Sequence, residues 1–112
     1  MIDLKKEYLD EIINILDKHV PECEVRAFGS RVNGLARRFS DLDLVLVGKE
    51  RLDWRRIEAL KDALSESDLP IMVDVLDWKA ISDKFREIIK QNYVVIRNNL
   101  EVNDRSIRSA AL

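Results

Sequence analysis

The chain has 112 residues, 36% of them charged and 46% apolar, which sets one domain with enough chain to bury a core. Its net charge of −2 speaks against a general nucleic-acid coat, because phosphate backbones reward strongly basic surfaces. A single cysteine, no charged-then-apolar leader and no apolar run long enough to span a bilayer make the cytoplasm the expected location, with no membrane partner.

Residues 2–20 read as an amphipathic helix, since Leu9, Ile12, Ile13, Leu16 and Val20 recur at helical spacing and Pro21 stops them. A short strand follows at 23–28 (CEVRAF), then a loop, GSRVNGLARRFS, with room for one helical turn. Residues 41–47 (DLDLVLV) form a strand closed by Gly48. A second helix spans 53–66, with Ile57, Leu60 and Leu64 on one face, and Leu69-Pro70 breaks it. Residues 71–76 (IMVDVL) are another strand, and a third helix over 79–91 carries Ile81, Phe85, Ile88 and Ile89. YVVI at 93–96 reads as a last strand or as the tail of that helix. The order predicts an α/β (α+β) domain, a small mixed β-sheet with helices packed on it, over residues 1–96. Residues 97–112 form an unassigned C-terminal tail.

The strand at 41–47 opens with carboxylates where apolar residues would be expected. Side chains alternate along a strand, so Asp41 and Asp43 share a side with Val45 and Val47, while Leu42, Leu44 and Leu46 face the other way. Two carboxylates so placed repel each other unless a cation sits between them, and Mg²⁺ prefers carboxylate and phosphate oxygens. Asp74 repeats the anomaly in mid-strand, within IMVDVL, where an unpaired carboxylate is penalised. Singly, each acid has an ordinary reading: Asp41 as a turn residue, Asp74 as a partner of Arg26 on an adjacent strand. Together, if the two strands are neighbours, the three favour a site for one or two Mg²⁺ ions.

The loop ahead of them complements that charge. Gly29 permits positive φ and close approach of a ligand, and Ser30 offers a hydroxyl and an N–H at a candidate helix start. Arg26, Arg31, Arg37 and Arg38 fall between Val25 and Ser40 with no acid among them, a local positive patch suited to a triphosphate or an acidic partner. The alternative is a capping serine and solvated arginines. His19 has no second histidine for a metal, Cys23 reads as a small buried hydrophobe, and Trp54 and Trp78 read as core or partner contacts.

Gly29-Ser30, ten intervening residues and then Asp41-x-Asp43 resemble the signature of the DNA polymerase β-type nucleotidyltransferase superfamily. The fuller GSRVNGLARRFSDLDL is similar to the minimal nucleotidyltransferases, the MntA-like antitoxins of HEPN–MNT toxin–antitoxin pairs. The resemblance implies a polymerase β-like fold, ATP as substrate and Mg²⁺, in two ions, as cofactor. It implies that Gly29 and Ser30 hold the β- and γ-phosphates, with Arg31 beside them. Asp41 and Asp43 would bind the metal, and Asp74 would be the third catalytic carboxylate, helping to deprotonate the incoming hydroxyl. Asp77, read as a helix N-cap, is the fallback for Asp74. Gly34 would serve the turn of the loop.

Larger relatives append a domain that binds the acceptor, whereas about thirty-six residues follow strand 71–76 here. The resemblance therefore implies that another molecule supplies the acceptor: a tyrosine of a cognate HEPN ribonuclease, which receives AMP and is silenced within a hetero-oligomer. Direct nucleic-acid binding is not expected. Two alternatives stand beside this, an antitoxin that inhibits by binding alone and a nucleotidyltransferase acting on a small molecule or RNA.

Overall fold

Alternation along the middle strand decides the architecture. The computed structural model describes residues 2–36 and 40–100, so Arg37, Arg38 and most of the C-terminal tail lie outside the described residues. In β2 (Leu42–Val47) the leucines at 42, 44 and 46 are fully buried on one face of the sheet. Around it run β1 (Glu24–Phe28), β3 (Val73–Asp77) and β4 (Tyr93–Arg97) in the order β3-β2-β1-β4. β1 is antiparallel to both of its neighbours and β2 is parallel to β3, a mixed sheet.

The helices are α1 (Lys6–His19), α2 (Ser30–Asn33), α3 (Trp54–Glu66) and α4 (Asp83–Gln91). α1 and α3 share a core with the sheet, in which Ile12, Leu16, Leu60 and Leu64 meet Val25, Ala27, the three β2 leucines and Val75. α3 supplies the crossover that two parallel strands require. It starts where the Asp53 carboxylate accepts from the Arg55 N–H at 2.9 Å, an N-cap. The helix expected over 79–91 is shorter than its apolar pattern. Asp77 accepts N–H bonds from Leu52 and Lys79, holding 78–80 in a turn, and the Ser82 hydroxyl caps α4 by accepting from Phe85. Residues 93–97 are a strand.

The second face of the sheet carries Arg26, Phe28, Asp43, Val45, Asp74 and Tyr93, as the register shows. It is covered in part: Val45 and Ile89 are buried, and Phe85 of α4 meets Phe28 edge-on, with ring centroids 5.9 Å apart. Arg26 lies against the rings of Trp78 and Tyr93 and pairs with Glu24; Arg86 lies against the same tryptophan. Trp78 is thus held between arginines at the rim, and Trp54 is exposed, so neither belongs to the main core. Cys23 is fully buried, which pushes its thiol up to about 11.

Two arginines hold the turn from α1 to β1. Arg56 of α3 pairs with Glu22 and donates to the His19 carbonyl; the hydrogen bond from Arg56 is the main reason Glu22 stays below the ordinary carboxylate range. Arg97 of β4, buried, donates to the carbonyls of Val20 and Cys23 and to Asp17. No helix among the described residues is long and apolar enough to cross a membrane.

Arg97→Met leaves two buried carbonyls without this donor and should cost about 1–3 kcal/mol. Lys6→Met, which removes an exposed i,i+4 pair with Asp10, should cost no more than about 0.5 kcal/mol. Urea unfolding of both variants checks the contrast, and equal losses would refute the assignment of Arg97 as a buried clamp.

Candidate active site

The acids lie on one row that crosses the whole sheet. Tyr93 pairs with Phe28, Phe28 with Asp43, and Asp43 with Asp74, one residue from each strand, all on the second face. Asp41 stands two residues before Asp43 on the same side, exposed at the entrance to β2. Asp74 is the second residue of its strand rather than its middle, so its carboxylate reaches solvent, and one of its oxygens accepts from the Val75 N–H at 3.1 Å.

Because Phe28 faces Asp43 across the pair, the next residue, Gly29, is carried to the carboxylate. A Cβ on Gly29 would lie 2.5 Å from Asp43 Oδ2, closer than any side chain tolerates, and Gly29 has φ +79°. The positive φ favours glycine at this position, and a Cβ there would also force the Asp43 carboxylate to turn from its place. Its carbonyl accepts from the N–H groups of Val32 and Asn33, so α2 begins at Ser30 and sets that hydroxyl one residue from the acid cluster. Gly34, at φ +83°, ends α2 in the left-handed region.

The electrostatics follow from this crowding. Burial, then the charges of Asp74 and Asp41, hold the Asp43 carboxyl above its ordinary pKa. Among the described residues neither Asp43 nor Asp74 has an ion-pair partner; Arg26, the expected mate of Asp74, is paired with Glu24. Concentrated negative charge with no described counter-charge is what a hard divalent cation relieves. Among the described residues no three acid, histidine or cysteine side chains converge enough to enclose a metal unaided. Any divalent cation there would need water or substrate phosphate oxygens to complete its shell, as Mg²⁺ sites commonly do.

Two hollows are lined by neighbours of Asp43 in the row, though not by Asp43 itself. One, about 670 Å³, begins at Asp41 and Asp74 and runs beside Lys61, Ser65 and Met72. The other, about 170 Å³, lies between α2 and α4 and is lined by Phe28, Gly29, Asn33, Phe85 and Ile88. Neither was foreseen in the sequence, although the alternation that faced Asp43 outward also faces Phe28 outward.

Gly29, Ser30, Asp41, Asp43 and Asp74 thus gather at one end of the sheet. Arg31 does not point there in the same way. The residue is 8% exposed, and its guanidinium donates to the carbonyls of Ser40 at 3.0 Å and Asp3 at 2.8 Å. Asp77 also turns away: three residues after Asp74, it faces the opposite side of β3, where its carboxylate is buried against backbone N–H groups. It caps a turn rather than a helix.

The family model for polymerase beta nucleotidyltransferases matches residues 10–101. The chain belongs to that family. It is 51% identical, over 96 residues, to the probable protein adenylyltransferase MntA of Haemophilus influenzae (strain ATCC 51907 / DSM 11121 / KW20 / Rd), a match spanning 86% of this chain and 84% of that protein. Its fold is also that of a chain in a crystal structure of a toxin–antitoxin with AMP-PNP (TM-score 0.63, 20% identity, 92% of this chain and 84% of that one). A chain of the tri-AMPylated Shewanella oneidensis HEPN toxin in complex with MNT antitoxin matches likewise, with a TM-score of 0.59 and 18% identity over 90% of this chain and 78% of that one. The minimal nucleotidyltransferase resemblance and the mixed-sheet fold are both borne out.

The acid cluster carries a stability cost that can be measured. A raised Asp43 pKa means that the folded chain binds this proton more tightly than the unfolded chain. The associated stability is therefore present below the ordinary aspartate pKa and is lost as pH rises through the raised value. Asp43→Asn should raise the Tm of chelator-treated protein at neutral pH, and the advantage should vanish in acid below the ordinary aspartate range. Thermal melts across that window check it; a variant less stable than wild type at neutral pH would contradict the repulsion.

Proposed function

We propose that this protein is a Mg²⁺-dependent protein adenylyltransferase that acts as an antitoxin, transferring AMP from ATP to a tyrosine of a cognate HEPN ribonuclease toxin within a complex of the two. The observation that carries this reading is the 51% identity to a probable protein adenylyltransferase over most of both chains. The Gly29–Asp43 contact and the Asp43–Asp74 pairing support it, because a side-chain-free stretch of backbone lies beside neighbouring carboxylates, a setting suited to phosphates and a hard cation. The cytoplasm, where ATP is available, is the setting it requires.

Each residue then has a physical task. Gly29 keeps the backbone bare so that the β- and γ-phosphates can come close, and Ser30 offers a hydroxyl at the start of α2. Asp41, Asp43 and Asp74 would each offer a carboxylate oxygen to Mg²⁺, with triphosphate oxygens and water completing its shell; two ions is the number the family resemblance implies. Bound there, Mg²⁺ supplies charge neutralisation for the phosphoryl oxygens and for the departing pyrophosphate. Asp74, the solvent-facing carboxylate at the edge of the cluster, takes the phenolic proton of the acceptor tyrosine. The tyrosine oxygen forms its bond to the α-phosphorus as the bond from that phosphorus to the pyrophosphate oxygen breaks. One adenylate is gained by the acceptor and one pyrophosphate is released.

Intact-mass spectrometry of the toxin, incubated with ATP, Mg²⁺ and the antitoxin, tests the proposal. Wild type should add adenylate-sized increments to the toxin. Asp43→Asn and Gly29→Ala should each slow the addition by roughly a hundredfold or more, since displacement by about 1 Å at a reacting centre costs that much. Continued suppression of toxicity by an Asp43→Asn variant that adds nothing would instead mean inhibition by binding alone.

A further inference from the structure

Arg31 follows the Gly-Ser pair, where a phosphate contact would be the obvious task, yet its side chain runs the other way. It is 8% exposed, and two of its donors reach backbone oxygens: Nε to Ser40 at 3.0 Å and Nη1 to Asp3 at 2.8 Å. Its own carbonyl accepts from the Asp3 N–H at 2.7 Å, so residues 31 and 3 bond reciprocally. Ile2 and Leu4, on either side of Asp3, pack against the main core and give that anchor a fixed position. Ser40 is the residue immediately before Asp41, and Leu42 is held in turn by an N–H bond to the Met72 carbonyl at 2.9 Å. Asp41, exposed and without a described side-chain partner, is thus located through its two neighbours: Ser40 by Arg31, Leu42 by β3.

We propose that Arg31 is a positioning residue for Asp41, acting as a brace that ties the N-terminal segment to the entrance of β2, and not a phosphate ligand. This rests on the adenylyltransferase reading for its catalytic consequence, though not for its geometry. Arginine suits the task because its planar fork reaches two carbonyls at fixed angles, which a lysine cannot do. Loosening the brace leaves Gly29, Ser30 and Asp43 in place, since those are set by the β1–β2 register and by α2. It frees one carboxylate of the three. The nucleotide should still bind, but metal should bind more weakly and the reaction should slow.

The test compares wild type, Arg31→Met, Arg31→Lys and Asp3→Pro, the last removing the N–H that donates to Arg31 while leaving the guanidinium intact. Three quantities are read: kcat and KM for ATP in toxin adenylylation, the Mg²⁺ concentration giving half-maximal rate, and the Mg²⁺-dependent rise in Tm with AMP-PNP present. The brace predicts a kcat lower by roughly tenfold to a hundredfold in Arg31→Met, with KM for ATP within about twofold of wild type. It also predicts a higher Mg²⁺ requirement, a smaller Mg²⁺-dependent Tm rise, partial recovery in Arg31→Lys and the same direction of change in Asp3→Pro. A raised KM with kcat retained, or an unaffected Asp3→Pro beside a damaged Arg31→Met, would overturn it in favour of direct phosphate contact. A lower Tm with an unchanged Mg²⁺ response would overturn it in favour of a purely structural role. Should Arg31→Met fail to fold, Asp3→Pro and Arg31→Lys decide the question by the same readouts. If wild type itself adds no adenylate, the enzymatic reading fails separately, and the Mg²⁺-dependent Tm rise still judges the brace.

Discussion

The contact between the Asp43 carboxylate and the bare backbone of Gly29 is the constraint on which the site depends. It exists because β1 and β2 are antiparallel in a register that sets Phe28 against Asp43, so that the residue after Phe28 must pass under the carboxylate. A one-residue slip would turn Asp43 into the core and a leucine out into solvent, which the three buried leucines of β2 forbid. Hydrophobic burial on one face of the strand thereby fixes the chemistry on the other.

The remainder of the molecule serves to hold that register. Polar anchors do much of it, and they are concentrated on backbone carbonyls rather than on exposed ion pairs. Arg56 and Arg97 hold the α1–β1 turn from opposite sides, and Arg31 joins the N-terminal segment to the end of the loop before β2. Each joins segments distant in sequence, and each reaches its carbonyl partners through a donor geometry that lysine lacks. Against this, the acid cluster opposes folding, first because burial takes the Asp43 carboxylate out of water and then through repulsion from Asp74 and Asp41, the usual tension between a site prepared for a ligand and the stability of the chain without it.

Much of this was legible in the sequence, for identifiable reasons. Strict alternation in DLDLVLV told which side the aspartates take, and the Gly29-Ser30 spacing to Asp41 told which loop faces them. Asp74 was legible as an acid out of place among valines, though its strand begins two residues later than its apolar run suggested. Other features depend on tertiary geometry. Ile81 extends the apolar pattern upstream of α4, but the Ser82 hydroxyl and the Asp77 turn decide where the helix begins. Asp77 looked like a spare for Asp74, and only strand parity turns it to the other face. The direction of the Arg31 side chain has no sequence signal, because a guanidinium donates to phosphate and to backbone carbonyl oxygens alike.

β1 lies between β2 and β4 although β4 comes last among the described strands, and Arg97 closes on Asp17 across 80 residues of sequence. A chain emerging from the ribosome can pair β1 with β2 and complete the Gly29–Asp43 contact early. It cannot seal the α1–β1 turn until β4 has been made. During that interval one edge of β1 is unpaired, and open strand edges invite pairing with other chains. Making β4 thus closes the sheet, so translation paused short of Arg97 would yield a nascent chain with its acid-bearing strand in place and its sheet still adhesive.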